Sequence, residues 1–282
     1  MDLQISSLFR SLIQTFKSVC NKFGLSLNKL ETFVEIQTNR IGVNSAAEVF
    51  SLYIKNFNQT RGDKELSKFI DFYINNWQLS SSQWSQDIFV MYATGKKKGG
   101  KYLEIGGADG YTHSNTISLN KYLNWDGILV EPDNEMFATL KQIRTKDKVL
   151  NCAISPSGLE ESLTLRKVGQ LSALLGYEGN DMHFDTRLSS EKKQDIKCIS
   201  LNSLLKENKF DYFSLDVEGA ELLILQSIDW NKINKPCLLT LEYNFREKDK
   251  HAIITILENQ GYENCFPNHD WIRRGDLWFQ LS

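Results

Sequence analysis

The sequence predicts an α/β fold with a mostly parallel sheet, preceded by an N-terminal helical region. After residue 100, short apolar segments alternate with stretches of helical apolar spacing, as in a parallel sheet covered by helices. The first apolar segments are nearly continuous, which is expected of strands buried on both faces. Before residue 80 the apolar spacing is helical. We therefore divide the 282 residues into a helical region, 1–80, and an α/β domain, 81–282.

The N-terminal region is predicted to be helical from three stripes of apolar side chains. One lies within residues 5–19, a second follows a capping box from Ser45 to Glu48, and the third lies within residues 66–73. A stripe of this kind normally packs against a core, whereas an exposed stripe would mark a dimer face. Packing is the preferred interpretation, and a homodimer through these helices is the alternative.

Five strand candidates follow a break rich in Gly and Lys at residues 95–100. They are residues 102–105, 127–130, 148–153, 212–215 and 238–241. A last strand is expected near Phe279. Residues 257–262 resemble a helix that ends at Gly261, and the segments after it could form an antiparallel pair at one edge of the sheet.

The composition limits the partners and the compartment. The formal net charge is -2 and the longest basic run is Lys96 to Lys98, so no nucleic-acid partner is expected. No apolar run approaches the ~20 residues that a membrane span needs. The five cysteines lie far apart and lack the spacing of metal ligands, which favours reduced thiols in a cytoplasmic protein.

A glycine turn after the first strand carries the clearest functional signal. It consists of Gly106, Gly107, Ala108, Asp109 and Gly110. A strand that ends in bare backbone before a helix N-terminus forms a nucleotide cradle. The second strand ends in an acid and a proline, Glu131 and Pro132, ~20 residues further on. An acid at that place is predicted to accept hydrogen bonds from both ribose hydroxyls of a nucleotide cofactor.

The choice of cofactor depends on Glu104, which lies two residues before the turn. An acid there would repel the pyrophosphate of NAD. S-adenosylmethionine has no phosphate and carries a sulfonium and an ammonium group, so the acid favours this cofactor. The third strand ends in Asn151, Cys152 and Ala153, which are predicted to face the adenine ring. Simple strand packing is the alternative interpretation of Cys152.

The candidate chemistry lies at the ends of the fourth and fifth strands. Asp216, Glu218 and Glu242 are expected at one edge of the sheet, beside the cofactor. Asp216 or Glu218 could remove a proton from a hydroxyl, and Asp216 with Glu242 could hold Mg²⁺ or Mn²⁺ through oxygen ligands. A contact to the cofactor ammonium or a helix cap is the alternative role for Asp216. His113, just after the glycine turn, is either a second candidate base or a polar residue at a helix start.

An irregular stretch at residues 169–189 is predicted to be an insertion that covers the site. Its candidate substrate-facing residues are Gln170, Ser172 and Tyr177. The stretch is too irregular to be read as a strand.

Several motifs together resemble the FkbM-type methyltransferases, a branch of the Rossmann-like enzymes that use S-adenosylmethionine. They are residues 82–87, 104–110, 114–116, 127–132, 170–172, 201–205 and 216–221. The resemblance implies a class I methyltransferase sheet, methyl transfer to a hydroxyl oxygen, and a cofactor role for Gln86 in the first of these motifs. The acid that is often Asp in the family is Glu104 here.

The resulting hypothesis is an S-adenosylmethionine-dependent O-methyltransferase. The resemblance implies a hydroxyl of a sugar, a glycan or a related small natural product as the acceptor. The alternatives are a methyltransferase that acts on an amine or a nucleic-acid base, and a non-catalytic scaffold that retains the cofactor site.

Overall fold

The computed structural model of the chain describes residues 62–178, 183–243, 245–273 and 275–282. The stripe at residues 5–19 and the capping box at Ser45 to Glu48 lie outside these residues, as does the part of the predicted dimer face before residue 62. Within them, helices and strands alternate along the chain, and no helix is both long and apolar enough to cross a bilayer.

The secondary structure follows the predicted alternation closely. The strands are β1 (Lys101–Ile105), β2 (Asp126–Val130), β3 (Lys148–Leu150), β4 (Ala153–Ile154), β5 (Ser162–Arg166), β6 (Ala173–Leu174), β7 (Lys193–Ile199), β8 (Tyr212–Leu215), β9 (Leu238–Glu242), β10 (Tyr262–Asn264) and β11 (Asp276–Leu281). The helices are α1 (Lys64–Asn76), α2 (Gln86–Ala93), α3 (Ile117–Leu123), α4 (Asn134–Ile143), α5 (Phe184–Leu188), α6 (Leu201–Glu207), α7 (Glu221–Gln226), α8 (Glu247–Asn259) and α9 (Asp270–Arg273).

The main sheet has seven strands in the order β10-β11-β9-β8-β1-β2-β3. β1 pairs in parallel with β2 and β8, and β9 continues the parallel series. β11 is antiparallel to both of its neighbours, β9 and β10. The predicted mostly parallel sheet with an antiparallel pair at one edge is therefore confirmed, with the antiparallel strand second from that edge.

The third predicted strand, residues 148–153, is divided between two sheets. Its first part is β3 of the main sheet, and its last residue begins β4 of a smaller sheet with the order β4-β7-β5-β6. β5 and β7 were not expected. Their segments, SLTLR and KQDIKCI, are mostly polar and largely exposed on one side, so they lack the apolar runs that marked the other strands.

Two apolar cores cover the two faces of the main sheet. On one face, Leu103, Phe213 and Leu239 pack among helices α6, α7 and α8. On the other face, Tyr102, Tyr212 and Trp278 pack among α1, α2, α3 and α4. Coverage of both faces explains why β1, β8 and β9 are nearly continuous apolar runs in the sequence.

Helix α1 confirms the last of the three predicted stripes. Its side chains Leu66, Phe69, Ile70 and Tyr73 are all buried. Asp63 caps the helix by accepting a hydrogen bond from the backbone amide of Leu66 at 2.9 Å. The stripe therefore packs against the core of the α/β region.

Candidate active site

The candidate active site is a cavity of about 520 Å³ at the carboxyl ends of the parallel strands. It lies where β1 separates β2 from β8, the point at which open α/β sheets bind their ligands. The described residues that line it include no Lys or Arg. They include five carboxylic acids, Glu104, Glu131, Asp216, Glu218 and Glu242. Such a lining favours a cationic ligand over a phosphate.

The turn after β1 presents bare backbone to this cavity. The backbone amides of Gly106 and Gly107 both donate to the carbonyl oxygen of Val130 at 3.0 Å. Gly106 has a φ of +86°, and a Cβ atom there would lie 1.8 Å from the carbonyl oxygen of Asp216. No residue other than glycine fits this position. Gly106, Gly107 and Ala108 all line the cavity, where the sequence predicted them.

The last two residues of the predicted turn lie outside the cavity lining. Asp109 accepts hydrogen bonds from the backbone amides of Tyr111 and Thr112 at 2.9 and 2.7 Å. A Cβ atom on Gly110 would lie 2.8 Å from Cγ of Arg144. Asp109 and Gly110 therefore stabilise the turn from the side away from the cavity. The sequence had suggested a direct cofactor contact for both residues.

Glu131 and Pro132 line the cavity at the end of β2. The Glu131 carboxylate accepts hydrogen bonds from the backbone amides of Ala108 at 2.8 Å and Asp133 at 2.7 Å. Burial nevertheless raises the pKa of Glu131 to about 7, because the two amides offset only part of the desolvation of the charge. Each oxygen keeps a lone pair for one further donor.

Cys152 and Ala153 line the predicted adenine end of the cavity. Asn151 does not line it, because its side-chain amide donates to the carbonyl oxygens of Glu131 and Pro132 at 3.0 and 3.2 Å. The remaining wall is apolar and comes from the smaller sheet, with Ile154, Leu165 and Leu174. Sequence reasoning missed this wall because it did not find that sheet.

Glu104 lines the cavity but its carboxylate is used mainly inside the protein. It is 3% exposed and accepts hydrogen bonds from the backbone amide of Asn115 at 2.9 Å and from the hydroxyls of Ser114 and Thr116. Burial raises the pKa of Glu104, although these donors and Arg144 oppose the rise. Glu104 therefore orders the segment 114–116 that borders the cavity.

Arg144 is a buried cation that the sequence did not reveal. Its guanidinium lies 3.9 Å from Glu104 and 2.9 Å from Asp147. It also donates to the Gly110 carbonyl oxygen at 3.1 Å and to the Tyr102 hydroxyl at 2.8 Å. Arg144 therefore compensates the charge of Glu104 and fixes the glycine turn. Its surroundings in the sequence, QIRTKDK, resemble an ordinary charged surface.

Gln86 lies at the start of α2 and is 5% exposed. Its side-chain oxygen accepts a hydrogen bond from the backbone amide of Trp84 at 2.9 Å, and its side-chain nitrogen donates to Asp276. Both Gln86 and Trp84 line the cavity. Gln86 thus connects the first of the family motifs to the strand ends that carry the acids.

The acids Asp216, Glu218 and Glu242 form one cluster, in which one oxygen from each lies within 4.8 Å of the others. The parallel pairing of β8 with β9 brings their ends together, with Leu215 opposite Leu241. Burial raises the pKa of Glu242 well above its usual value, and the charges of Asp216 and Glu218 raise it further. The cluster therefore binds a proton more readily than an isolated carboxylate does. Its oxygens are also of the type that bind Mg²⁺.

Asp276 is a further buried carboxylic acid beside this cluster. It pairs with Glu242 across the ladder of β9 and β11. Burial raises the pKa of Asp276 well above its usual value, and the charge of Asp216 adds to the rise. The sequence did not single out Asp276, because only the folded ladder brings it to the site.

Glu218 makes an ion pair with Arg187, whose guanidinium lies 2.8 Å from its carboxylate. Arg187 belongs to α5 and is fully buried. The insertion at residues 169–189 therefore supplies a cation directly behind the cavity wall. Glu218 also has a left-handed backbone, with a φ of +60°.

The insertion lines the cavity with Gln170, Ser172 and His183, among others. Tyr177 does not line it, because this side chain packs against the core of the smaller sheet and its hydroxyl lies 3.4 Å from Glu160. The stretch also contains strand β6 and helix α5, so it is more regular than the sequence suggested.

His113 lines the cavity and has a left-handed backbone, with a φ of +59°. It forms an isolated β-bridge with Ser82, which ties the loop after the glycine turn to the segment before α2. Left-handed backbone at residues other than glycine is costly and is concentrated at functional sites. Ala108, His113, Glu218 and Phe245 all have it and all line this cavity.

Three features of the structure indicate a Rossmann-like methyltransferase that uses S-adenosylmethionine. They are the parallel sheet covered on both faces, the glycine turn at its switch point, and a cavity whose acidic lining disfavours a phosphate. Residues 104–263 match the model of the methyltransferase FkbM domain. This match spans more than half of the chain, and the protein therefore belongs to the FkbM methyltransferase family. The resemblance in the motifs is confirmed, as are the enzyme class and the fold.

The chain is also similar to solved structures of methyltransferases, at low sequence identity. The methyltransferase FkbM from Methylobacillus flagellatus KT is 14% identical with a TM-score of 0.42, and the match covers 95% of this chain and 70% of that one. A TehB-like methyltransferase from Corynebacterium glutamicum is 10% identical with a TM-score of 0.39, over 77% and 97% of the two chains. No curated protein sequence matches the chain.

Proposed function

We propose that the protein transfers the methyl group of S-adenosylmethionine to a hydroxyl oxygen of a sugar, a glycan or a related small natural product. The observation that carries this proposal is the cluster of Asp216, Glu218 and Glu242 at the cavity wall beside the glycine turn. A hydroxyl acceptor must lose a proton, and a carboxylate within hydrogen-bond reach can take it. An amine beside several carboxylates would be held in its protonated form, which has no lone pair for the methyl group.

The cavity residues fit S-adenosylmethionine. Glu131 would bind the ribose hydroxyls through its two remaining lone pairs. Gly106 and Gly107 line the cavity at the end of β1, and the apolar wall of the smaller sheet suits the adenine ring. The lack of Lys and Arg in the described lining fits a cofactor without phosphate. When bound, this cofactor supplies an activated methyl group.

The chain's own part in the reaction is to orient the acceptor and to receive its proton. Asp216 and Glu242 are joined by a side-chain hydrogen bond, so a proton taken by one is shared with the other. Arg187 holds Glu218 in an ion pair, which makes Asp216 the preferred base. His113 lines the same cavity and is the second candidate. The three acids would also accommodate one Mg²⁺ or Mn²⁺ ion, which would orient the acceptor oxygen.

The test uses purified protein, methyl-labelled S-adenosylmethionine and a panel in which each sugar is paired with its amino-sugar counterpart. We expect label on hydroxyls of the neutral sugars. Asp216→Asn should reduce turnover by ~10² or more, as for loss of a general base. Asp229→Asn, an exposed control whose carboxylate pairs with Lys232, should not. Label that appears only on amino groups would contradict the proposal.

A metal requirement is tested in the same assay. Dialysis against a chelator should abolish turnover and Mg²⁺ or Mn²⁺ should restore it, if the acids bind a cation. Full activity after chelation would assign the acids to proton transfer alone.

We also infer a reducing compartment such as the cytoplasm. The four cysteines in the described part of the chain, Cys152, Cys198, Cys237 and Cys265, are free thiols. Alkylation of intact cells before lysis, followed by mass spectrometry, would test this inference. Disulfide-bonded cysteines would contradict it.

A further inference from the structure

Phe245 is an exposed aromatic side chain at the wall of the active-site cavity. It is 56% exposed, whereas the other phenylalanine side chains in the described part of the chain are buried or half-buried. Of the large apolar side chains that are exposed in this part, Phe245 lines the cavity and the others do not. Phe245 is therefore exposed to the cavity, unlike the apolar side chains that are scattered singly over the surface.

The backbone at Phe245 is unfavourable for a phenylalanine. The residue has a φ of +57° and lies in a turn in which the backbone amide of Arg246 donates to the carbonyl oxygen of Tyr243 at 3.0 Å. Glycine or asparagine is usual at such a position, because a Cβ atom is crowded there. A strained backbone that persists at a cavity wall points to a role for the side chain that it places.

The Phe245 ring is supported from behind by Gly275. A Cβ atom on Gly275 would lie 3.3 Å from Cε2 of the Phe245 ring, so the absence of a side chain there makes room for the ring. Tyr243 contacts the ring at an angle of 62°, with centroids 6.1 Å apart. The backbone amide of Tyr243 donates to the carbonyl oxygen of Gly275 at 2.8 Å, which ties the two segments together. The ring is thus held at a defined place.

This place is beside the acid cluster. Gly275 immediately precedes Asp276, which pairs with Glu242 across β9 and β11. Phe245 follows Glu242 by three residues, and both line the same cavity as Asp216. The cavity therefore has an apolar aromatic surface next to carboxylates, which accept hydrogen bonds.

We propose that Phe245 forms a stacking platform for the acceptor ring and so determines acceptor specificity. This inference rests on the proposed function, since it names the residue that positions the acceptor. The apolar C–H face of a sugar ring would pack on Phe245, and the hydroxyls at its edge would donate to Asp216 and Glu242. A planar catechol could pack on the aromatic surface, but it offers only two hydroxyl donors to the carboxylates. An amino sugar would instead bind as a cation, attracted to the face of the aromatic ring.

The experiment measures saturation-transfer NMR on protein saturated with S-adenosylhomocysteine. The probes are the methyl glycosides of glucose, galactose, mannose and rhamnose, with catechol and methyl glucosaminide for comparison. Phe245→Gly removes the ring and provides the residue that the backbone favours. Tyr111→Ala is the matched control, because Tyr111 is 57% exposed and does not line the cavity.

We expect at least one neutral glycoside to receive saturation at its ring C–H protons in the parent and in Tyr111→Ala. Phe245→Gly should lower this signal at least fivefold, with an unchanged or higher melting temperature and unchanged affinity for S-adenosylhomocysteine. The melting temperature distinguishes two roles of the Phe245 ring. If the ring only stabilised the fold, Phe245→Gly would lower the melting temperature, whereas loss of a binding platform would not.

Equal glycoside signals in Phe245→Gly and the parent would overturn the proposal. So would binding of catechol or the amino sugar alone, or binding of none of the probes by protein that still binds S-adenosylhomocysteine. Failure of the parent to bind S-adenosylhomocysteine would instead overturn the proposed function.

Discussion

Glu131 is a buried carboxylate whose pKa lies close to neutrality, at about 7. If its ionised form accepts both ribose hydroxyls, protonation removes one acceptor and weakens cofactor binding. The Glu131→Ala variant should lose about 1–3 kcal/mol of binding free energy, the range for an unpartnered buried polar group. Calorimetry with S-adenosylhomocysteine measures this loss. Equal affinity in variant and parent would place the ribose elsewhere.

The same residue predicts a pH dependence of binding. Because burial raises the pKa of Glu131, the parent should bind S-adenosylhomocysteine more weakly at pH 6 than at pH 8. The Glu131→Gln variant should bind more weakly than the parent at pH 8 and show a smaller change between the two values. An identical pH profile for parent and Glu131→Gln would show that another group controls binding.

Arg144 carries a prediction about stability at the residue scale. Removal of one member of a buried ion pair leaves the other charge uncompensated, and typically costs about 3–5 kcal/mol. Arg144→Met should therefore destabilise the protein by roughly that amount, since Glu104 and Asp147 both lose their cation. Denaturant unfolding of the cofactor-free protein measures the change. Lys68→Met, which breaks an exposed pair with Glu65, should change stability by less than about 1 kcal/mol.

At the scale of elements, the pairing of β9 with β11 sets carboxylic acids close together inside the protein. Their pKa values are raised in the folded state, so the folded protein holds protons that the unfolded chain would release. The stabilisation is present at pH values below the unfolded pKa and is lost as the pH rises through the folded pKa. The cofactor-free protein should therefore become less stable from about pH 5 to pH 8.

The variant Asp276→Asn tests this element directly. Its side-chain oxygen can still accept from Gln86, but it carries no charge. We expect its melting temperature to fall less than that of the parent between pH 5 and pH 8, by roughly a few degrees. Asp71→Asn on the exposed surface of α1 is the control and should follow the parent. Parallel curves for parent and Asp276→Asn would contradict the role of this acid.

Elements with a strong local pattern were predictable from the sequence. The stripe from Leu66 to Tyr73 gave α1, and the continuous apolar runs gave β1, β2, β8 and β9. β5 and β7 were missed because both strands are short of apolar residues and rely on pairing with each other. The predicted strand at residues 148–153 was too long, because no local signal marks the change of sheet between Leu150 and Ala153.

At the scale of the whole molecule, the site combines features that are local in sequence with features that only folding brings together. The glycine turn and Glu131 lie within 30 residues of one another, so their spacing could be recognised. Arg187 and Asp276 reach the site from distant segments, and the sequence neighbours of Arg144 and Arg187 are mostly polar and resemble ordinary surface. Long-range contacts of this kind leave no periodic trace in a single sequence.

Helix α1 is stabilised by its packing against the α/β region. Phe69 packs 5.8 Å from Trp278, which itself stacks on Phe89 at 4.9 Å. The imidazole of His269 lies 3.0 Å from the Asp63 carboxylate, which joins the start of α1 to the C-terminal part of the chain. A protein that begins at residue 81 should therefore expose Trp278 and aggregate, whereas the full chain should remain monodisperse. Size-exclusion chromatography compares the two, and an equally monodisperse shorter protein would contradict this role of α1.

The division of the third strand has a mechanical meaning. Asn151 and Cys152 carry the chain from the main sheet to the smaller one, and the cavity lies between the two sheets. A ligand bound in this cavity would contact both sheets and so restrict their motion relative to each other. Amide hydrogens of β5, β6 and β7 should then exchange more slowly once S-adenosylhomocysteine is bound, while those of β8 and β9, already held inside the main sheet, change little. Hydrogen exchange followed by mass spectrometry would register that stiffening, and uniform slowing across both sheets would mean that the two already move as one body.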